Sequence, residues 1–116
     1  MAEKRQRNGI LDACTARAKD LNSLIAYADD SVVSKTLVDK DPGTVTLFAF
    51  DAGQRLSEHT APFDALVQIV DGQATITIAG EEMTVAAGQV VIMPANIPHA
   101  VRGDAKFKML LTMIRA

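Results

Sequence analysis

The chain has 116 residues, with 12 Lys and Arg against 14 Asp and Glu, for a formal net charge of −2. Hydrophobic residues make up 48% and charged residues 22%, which suits one domain with one core and excludes disorder for the bulk of the chain. A slightly acidic chain without a basic, aromatic-interleaved stripe gives no footprint for nucleic acid, and no apolar run approaches the roughly 20 residues of a membrane-spanning helix. The opening MAEKRQRNGILDA has charges but no apolar leader segment, so a cytoplasmic location is expected. With Cys14 as the one cysteine, neither an internal disulfide nor a cysteine-built zinc site is expected.

Residues 1–30 differ in texture from the rest. Leu11, Cys14, Ala18, Leu21 and Ile25 recur at spacings of three and four, with Arg17, Lys19 and Asp20 between them. That period predicts one amphipathic helix over residues 10–25, with Asn8 as its cap and residues 1–7 frayed. Its apolar stripe calls for a surface to lie on, either the domain's own sheet or a second subunit. Cys14 reads as a small buried hydrophobe on that stripe.

From residue 31 onward the period changes to two. SVVSKTLV, TVTLFAF, RLSEHTA, ALVQIV, QATITI, MTVA, VVIMP, HAVR and FKMLLTMI are separated by Gly, Asp or Pro at each break. About nine short strands in 85 residues make an all-β sandwich or small barrel over residues 31–116. Asp71-Gly72 is the strongest hairpin signal, because a two-residue primed turn needs the positive φ that Asp-Gly adopts readily. Phe48 and Phe50 share one strand face, and Met93, Met109 and Met113 read most simply as core filling that could also cushion a ligand.

The two histidines stand in two punctuated frames. Gly53 precedes His59 with five residues between them, and Gly72 follows thirteen residues after His59; Gly88 precedes Pro94 by the same interval, with His99 five beyond the proline. On these residues the chain resembles the cupin superfamily, whose motifs run G-x5-H-x-H-x3,4-E-x6-G and G-x5-P-x-G-x2-H-x3-N. Gly53, His59 and Gly72 match the first motif, and Gly88, Pro94 and His99 match the second. Ala61 and Ala65 stand where the family has its second histidine and its glutamate, Asn96 where it has the inner glycine, and Gly103 where it has the asparagine.

The resemblance implies a double-stranded β-helix, or jelly-roll barrel, preceded by the short helix, with a pocket marked by His59 and His99. The family's metal is held by three histidines and a glutamate, a set suited to iron, manganese, nickel, copper or zinc. Here His59 and His99 are the inheritable ligands of a divalent transition metal (Zn, Fe, Mn or Ni), with water or an exogenous ligand completing the shell. Asp64 is the nearest carboxylate to the missing glutamate; strand alternation turns it outward unless the loop bends inward after Pro62-Phe63. Alternation likewise turns Glu58 and Gln68 outward and places Arg55 and Ser57 on the face of His59, where Arg55 could meet an anionic ligand at the rim. Ala61 and Ala65 remove charge and volume, which predicts a roomier and more apolar pocket than the fully liganded one.

Three readings of function follow. One is a barrel binding a small molecule, with a transition metal on the two histidines. The alternative is a metal-dependent enzyme of dioxygenase, isomerase or lyase type, which needs a third protein ligand. A homodimer is expected alongside either, through the helix and an edge strand. The sequence supplies no orienting partner for acid–base use of the imidazoles, so it leaves catalysis open.

Overall fold

A computed structural model describes residues 9–116, and residues 1–8, including the expected cap Asn8, lie outside them. Nine strands follow one another: β1 (Val32–Lys40), β2 (Gly43–Phe50), β3 (Arg55–His59), β4 (Phe63–Asp71), β5 (Gln73–Ile78), β6 (Glu81–Ala86), β7 (Val90–Met93), β8 (His99–Arg102) and β9 (Phe107–Arg115). They form two antiparallel sheets, a five-stranded one in the order β1-β2-β9-β4-β7 and a four-stranded one in the order β3-β8-β5-β6. This is the jelly-roll arrangement expected from the period-two pattern.

Alternation decides what fills the space between the sheets. Phe50, Val67, Ile69, Ile76, Val101 and Phe107 are buried there, with Phe50 and Phe107 stacked at 4.3 Å between ring centroids. Phe48 lies on the same face as Phe50, 6.0 Å away. The facing residues of β2, Leu47 and Ala49, point out of the barrel and are nonetheless fully buried. Leu21, Leu24, Ile25 and Tyr27 cover them.

The segment that covers them is not the expected amphipathic helix. Residues 10–25 form two short 3-10 turns, Asp12–Cys14 and Leu21–Leu24, flanked by extended residues. Ile10 makes a β-bridge to Val38, and the N–H of Leu11 donates to the carbonyl of Leu37, so the edge strand β1 draws the chain into extended pairing. A helix would forfeit those edge hydrogen bonds, and tertiary context overrides the 3.6-residue period. Leu11 and Ile25 of the stripe are buried, Cys14 is half-buried and Ala18 is exposed. The stripe's partner is therefore the chain's own five-stranded sheet.

Asp71-Gly72 also behaves otherwise than expected. β4 pairs with β7 and β9, and β5 with β6 and β8, so Gly72 is the corner at which the chain leaves one sheet for the other. Its φ of +71° suits glycine, and a Cβ there would collide with the carbonyl oxygen of Lys106. Two-residue hairpins close instead at Asp41-Pro42, between the paired Lys40 and Gly43, and at Ala79-Gly80, between the paired Ile78 and Glu81, the latter with φ of +52° and +84°. Among the described residues no helix is long and apolar enough to cross a membrane.

Candidate functional site

β3 and β8 lie side by side and bring the two histidines together. His59 pairs with His99, and Leu56 pairs with Val101. Two residues, Ser57 and Glu58, therefore oppose the single Ala100, which is a β-bulge. The bulge resets the alternation: Leu56 and His59, three apart, both face the barrel interior. Arg55 and Ser57 are turned to the outer face, where with Glu58, Thr75, Thr77 and Arg102 they line a separate groove of about 330 Å³. Arg55 and Ser57 thus lie on the opposite face from His59, not beside it as strict alternation predicts. In that outer groove Arg102 is paired with Glu82 at 3.1 Å.

The imidazoles meet at the mouth of the barrel. Their Nε2 atoms are 3.2 Å apart, with ring centroids at 4.4 Å and planes at 74°. His99 is buried and His59 is exposed at the rim. Each Nδ1 lies against the backbone carbonyl two residues earlier, His59 to Ser57 at 2.7 Å and His99 to Ile97 at 3.1 Å. A carbonyl only accepts, so each Nδ1 carries the hydrogen and donates it. In the neutral rings both Nε2 atoms then carry lone pairs, 3.2 Å apart, with no hydrogen between them. Such a pair attracts a cation. Burial first, and then the neighbouring His59, hold His99 below its ordinary pKa, while the Ile97 carbonyl pulls the other way.

The spacing allows a test of fit for a metal ion. Two imidazole nitrogens bound at about 2.0–2.1 Å, at angles from about 90° to about 109°, stand roughly 2.9–3.4 Å apart. The observed 3.2 Å falls inside that span. The Nδ1 hydrogen bonds fix the tautomer that leaves Nε2 free, as the outer partners of metal-bound histidines do. Among the described residues no group of three or more His, Cys, Asp or Glu is arranged to hold a metal. The two histidines would supply two ligands of a four-coordinate shell.

Asp64 does not complete it. Its Oδ1 accepts the N–H of Ala95 at 2.9 Å on the outside of β4, where it steadies the 94–98 loop that leads into His99. The same loop is tied by the N–H of Asn96 to the carbonyl of Ala61 at 2.8 Å. Asn96 has φ of +64°, a left-handed conformation that asparagine tolerates better than most residues and that explains its standing at a glycine position. Glu58 and Gln68 both lie outside the barrel, as alternation requires.

Below the histidines lies a small cavity lined by Leu56, Ala61 and Ala65 together with Met93, Met109 and Met113. It holds about 40 Å³, room for little more than a water-sized ligand. The expected apolar character is present and the expected roominess is not. Flexible methionines from β7 and β9 have closed in over the space that the two alanines leave. Their inward positions follow from alternation along Met109, Leu111 and Met113, a signal present in the sequence that identifies them as pocket residues.

The fold agrees with what comparison of the sequence shows. The chain belongs to the cupin family: the model of the Cupin domain matches residues 46–114. A conserved protein of unknown function from Streptococcus pyogenes is 36% identical and superposes with a TM-score of 0.85, covering 99% of this chain and 98% of that one. A cupin superfamily protein from Desulfitobacterium hafniense is 30% identical, with a TM-score of 0.83 over 97% of this chain and all (100%) of the other. An uncharacterised protein of Streptomyces coelicolor is 39% identical over 56 residues, which are 48% of this chain; the match spans about half (53%) of that curated relative.

Proposed function

We propose that this cupin binds one transition-metal ion on His59 and His99 at the barrel mouth, leaving the remaining positions for ligands that the barrel admits. The observation that carries this reading is the Nε2 to Nε2 separation of 3.2 Å between rings whose Nδ1 atoms both lie against backbone carbonyls. Two acceptor nitrogens this close without a shared hydrogen are electrostatically unfavourable and are relieved by a cation. Exposure of His59 keeps that position open to solvent, while burial of His99 anchors the ion to the wall. When bound, such an ion would supply Lewis acidity to an oxygen or nitrogen ligand. The chain's own residues orient the two imidazoles and exclude bulk water below them. A cavity of about 40 Å³ favours small inorganic or diatomic ligands over those that the roomier pocket expected from the alanines would admit.

Elemental analysis by mass spectrometry tests this reading on protein purified without chelators or a metal-binding tag. The expected result is close to one transition-metal ion per chain, lost in His99→Ala with the circular dichroism unchanged. Equal metal content in the variant would reject the histidines as ligands.

A further inference from the structure

The cavity under the histidines has an unusual donor set. Its lining side chains carry heteroatoms only as imidazole nitrogen, from His59 and His99, and as thioether sulfur, from Met93, Met109 and Met113. Three of the chain's five methionines converge here, and neither carboxylate nor hydroxyl lines the space with them. The register shows how they are held. Met93 of β7 and Met113 of β9 are both direct cross-strand partners of Ala65 in β4, one on each side. Side chains at such positions start about 4.5–5.5 Å from the middle Cβ, and a thioether sulfur lies two bonds further along a flexible stem. The small methyl of Ala65 leaves both sulfurs free to lean across it toward the imidazoles.

Resting on the two-histidine reading above, we infer that Met93 and Met113 contribute thioether ligands to the positions the histidines leave and that the site is selective for Cu(I). Thioether is a soft ligand and selects soft, low-charge ions; it is a poor ligand for Mg, Mn or Ca and adds little to Zn. Charge leads to the same ion. With no carboxylate at the site, a divalent ion would sit in an apolar cavity with both of its charges uncompensated, and a monovalent ion, whose desolvation cost scales with the square of the charge, cuts that penalty to about a quarter. Imidazole also serves copper, so the histidines are common to both readings and the methionines distinguish them. As plain core filling, three methionines would be interchangeable with leucine; as ligands they are not.

The test uses the whole chain stripped with chelator, on a Cys14→Ser background so that the free thiol does not compete for copper. Cu(I), kept reduced by ascorbate, is titrated against a chromophoric Cu(I) chelator, and Zn(II) is titrated separately into the same protein. Expected are one Cu(I) per chain, a sulfur shell beside the nitrogen shell in X-ray absorption, and at least a roughly tenfold loss of Cu(I) affinity in Met93→Leu/Met113→Leu. Zn(II) affinity in that variant should stay within about twofold, because leucine keeps the volume and the histidines are untouched. Unchanged Cu(I) affinity in the variant, or a Cu(I) shell without sulfur, overturns the methionine ligation and leaves the histidine reading standing. Failure of both metals to bind, or binding of both undiminished by His99→Ala, removes the two-histidine site and this inference with it.

Discussion

At the scale of single residues, the histidine pair ties stability to pH. His99 has its pKa lowered by burial and by His59, so between its ordinary value of about 6.5 and its lower folded value the unfolded chain binds more protons than the folded one. Stability must then fall as pH drops below about 6.5 and level off once the folded group has also been protonated. Melting temperatures of the metal-free protein, followed from about pH 7.5 down to about pH 5, should decline over that range, and less so in His99→Ala. A flat profile that the variant shares would mean that the imidazole is not held in the neutral form. The motif frame made both histidines legible from glycine spacing alone. It could not show the bulge at Ser57-Glu58, because a two-for-one mismatch is a property of the partner strand β8, and strict alternation therefore put Arg55 and Ser57 on the wrong face. The size of the cavity escapes the sequence for a related reason: Ala61 and Ala65 announce lost volume locally, while the methionines that reclaim it stand some 28 to 52 residues further along the chain.

Among elements, turns separate what a local signal can specify from what it cannot. Asp-Gly states that the backbone turns with positive φ, and Gly72 does so, but whether the two strands then pair or part depends on which other strands claim them. β4 is taken by β7 and β9, which leaves β5 to the other sheet. Of the hairpins that do close in two residues, the one between β5 and β6 uses Ala79 in the left-handed region, where a Cβ is unfavourable by about 1–2 kcal/mol. Asparagine adopts that conformation more easily and is common in such turns. Ala79→Asn is therefore expected to stabilise the fold by about 0.5–1 kcal/mol, raising Tm by roughly 2–6 °C. Calorimetry of the two proteins at one pH decides it, and an unchanged or lower Tm would show that the turn's strain is relieved elsewhere. The 10–25 segment gives the converse lesson. Its 3.6-residue period was real, yet a sheet edge offering backbone partners at Leu37 and Val38 outweighed it.

For the molecule as a whole, residues 9–30 act as a strap without which the outer face of β2 and β9 would be bare. Ile25, Leu21 and Leu24 supply its apolar contact to Leu47, Ala49 and Leu110, and two polar fastenings hold it down. Tyr27 donates its phenolic hydrogen to Asp71 at 2.6 Å, and the buried Lys108 donates from Nζ to the carbonyl of Asn22 at 2.6 Å and to its side-chain oxygen at 2.9 Å. The Lys108 ammonium also lies 5.0 Å from the centre of the Tyr27 ring, a cation–π contact between the two fastenings. Burial, then the hydrogen bond to Asp71 and its negative charge, push the Tyr27 pKa well above the ordinary value of about 10. Above that pH the unfolded chain gives up a proton that the folded chain keeps, so stability must fall as pH rises. Tyr27 is the chain's one tyrosine and there is no tryptophan, so phenolate absorbance reports on the strap alone. On raising the pH, ionisation should appear well above pH 10 and coincide with loss of β-sheet circular dichroism. Tyr27→Phe should remove that alkaline sensitivity while lowering stability at neutral pH by about 1.5 kcal/mol, the worth of a hydrogen bond to a charged group. Ionisation near pH 10 in a protein that stays folded would show a strap that opens on its own, leaving the barrel to stand without it.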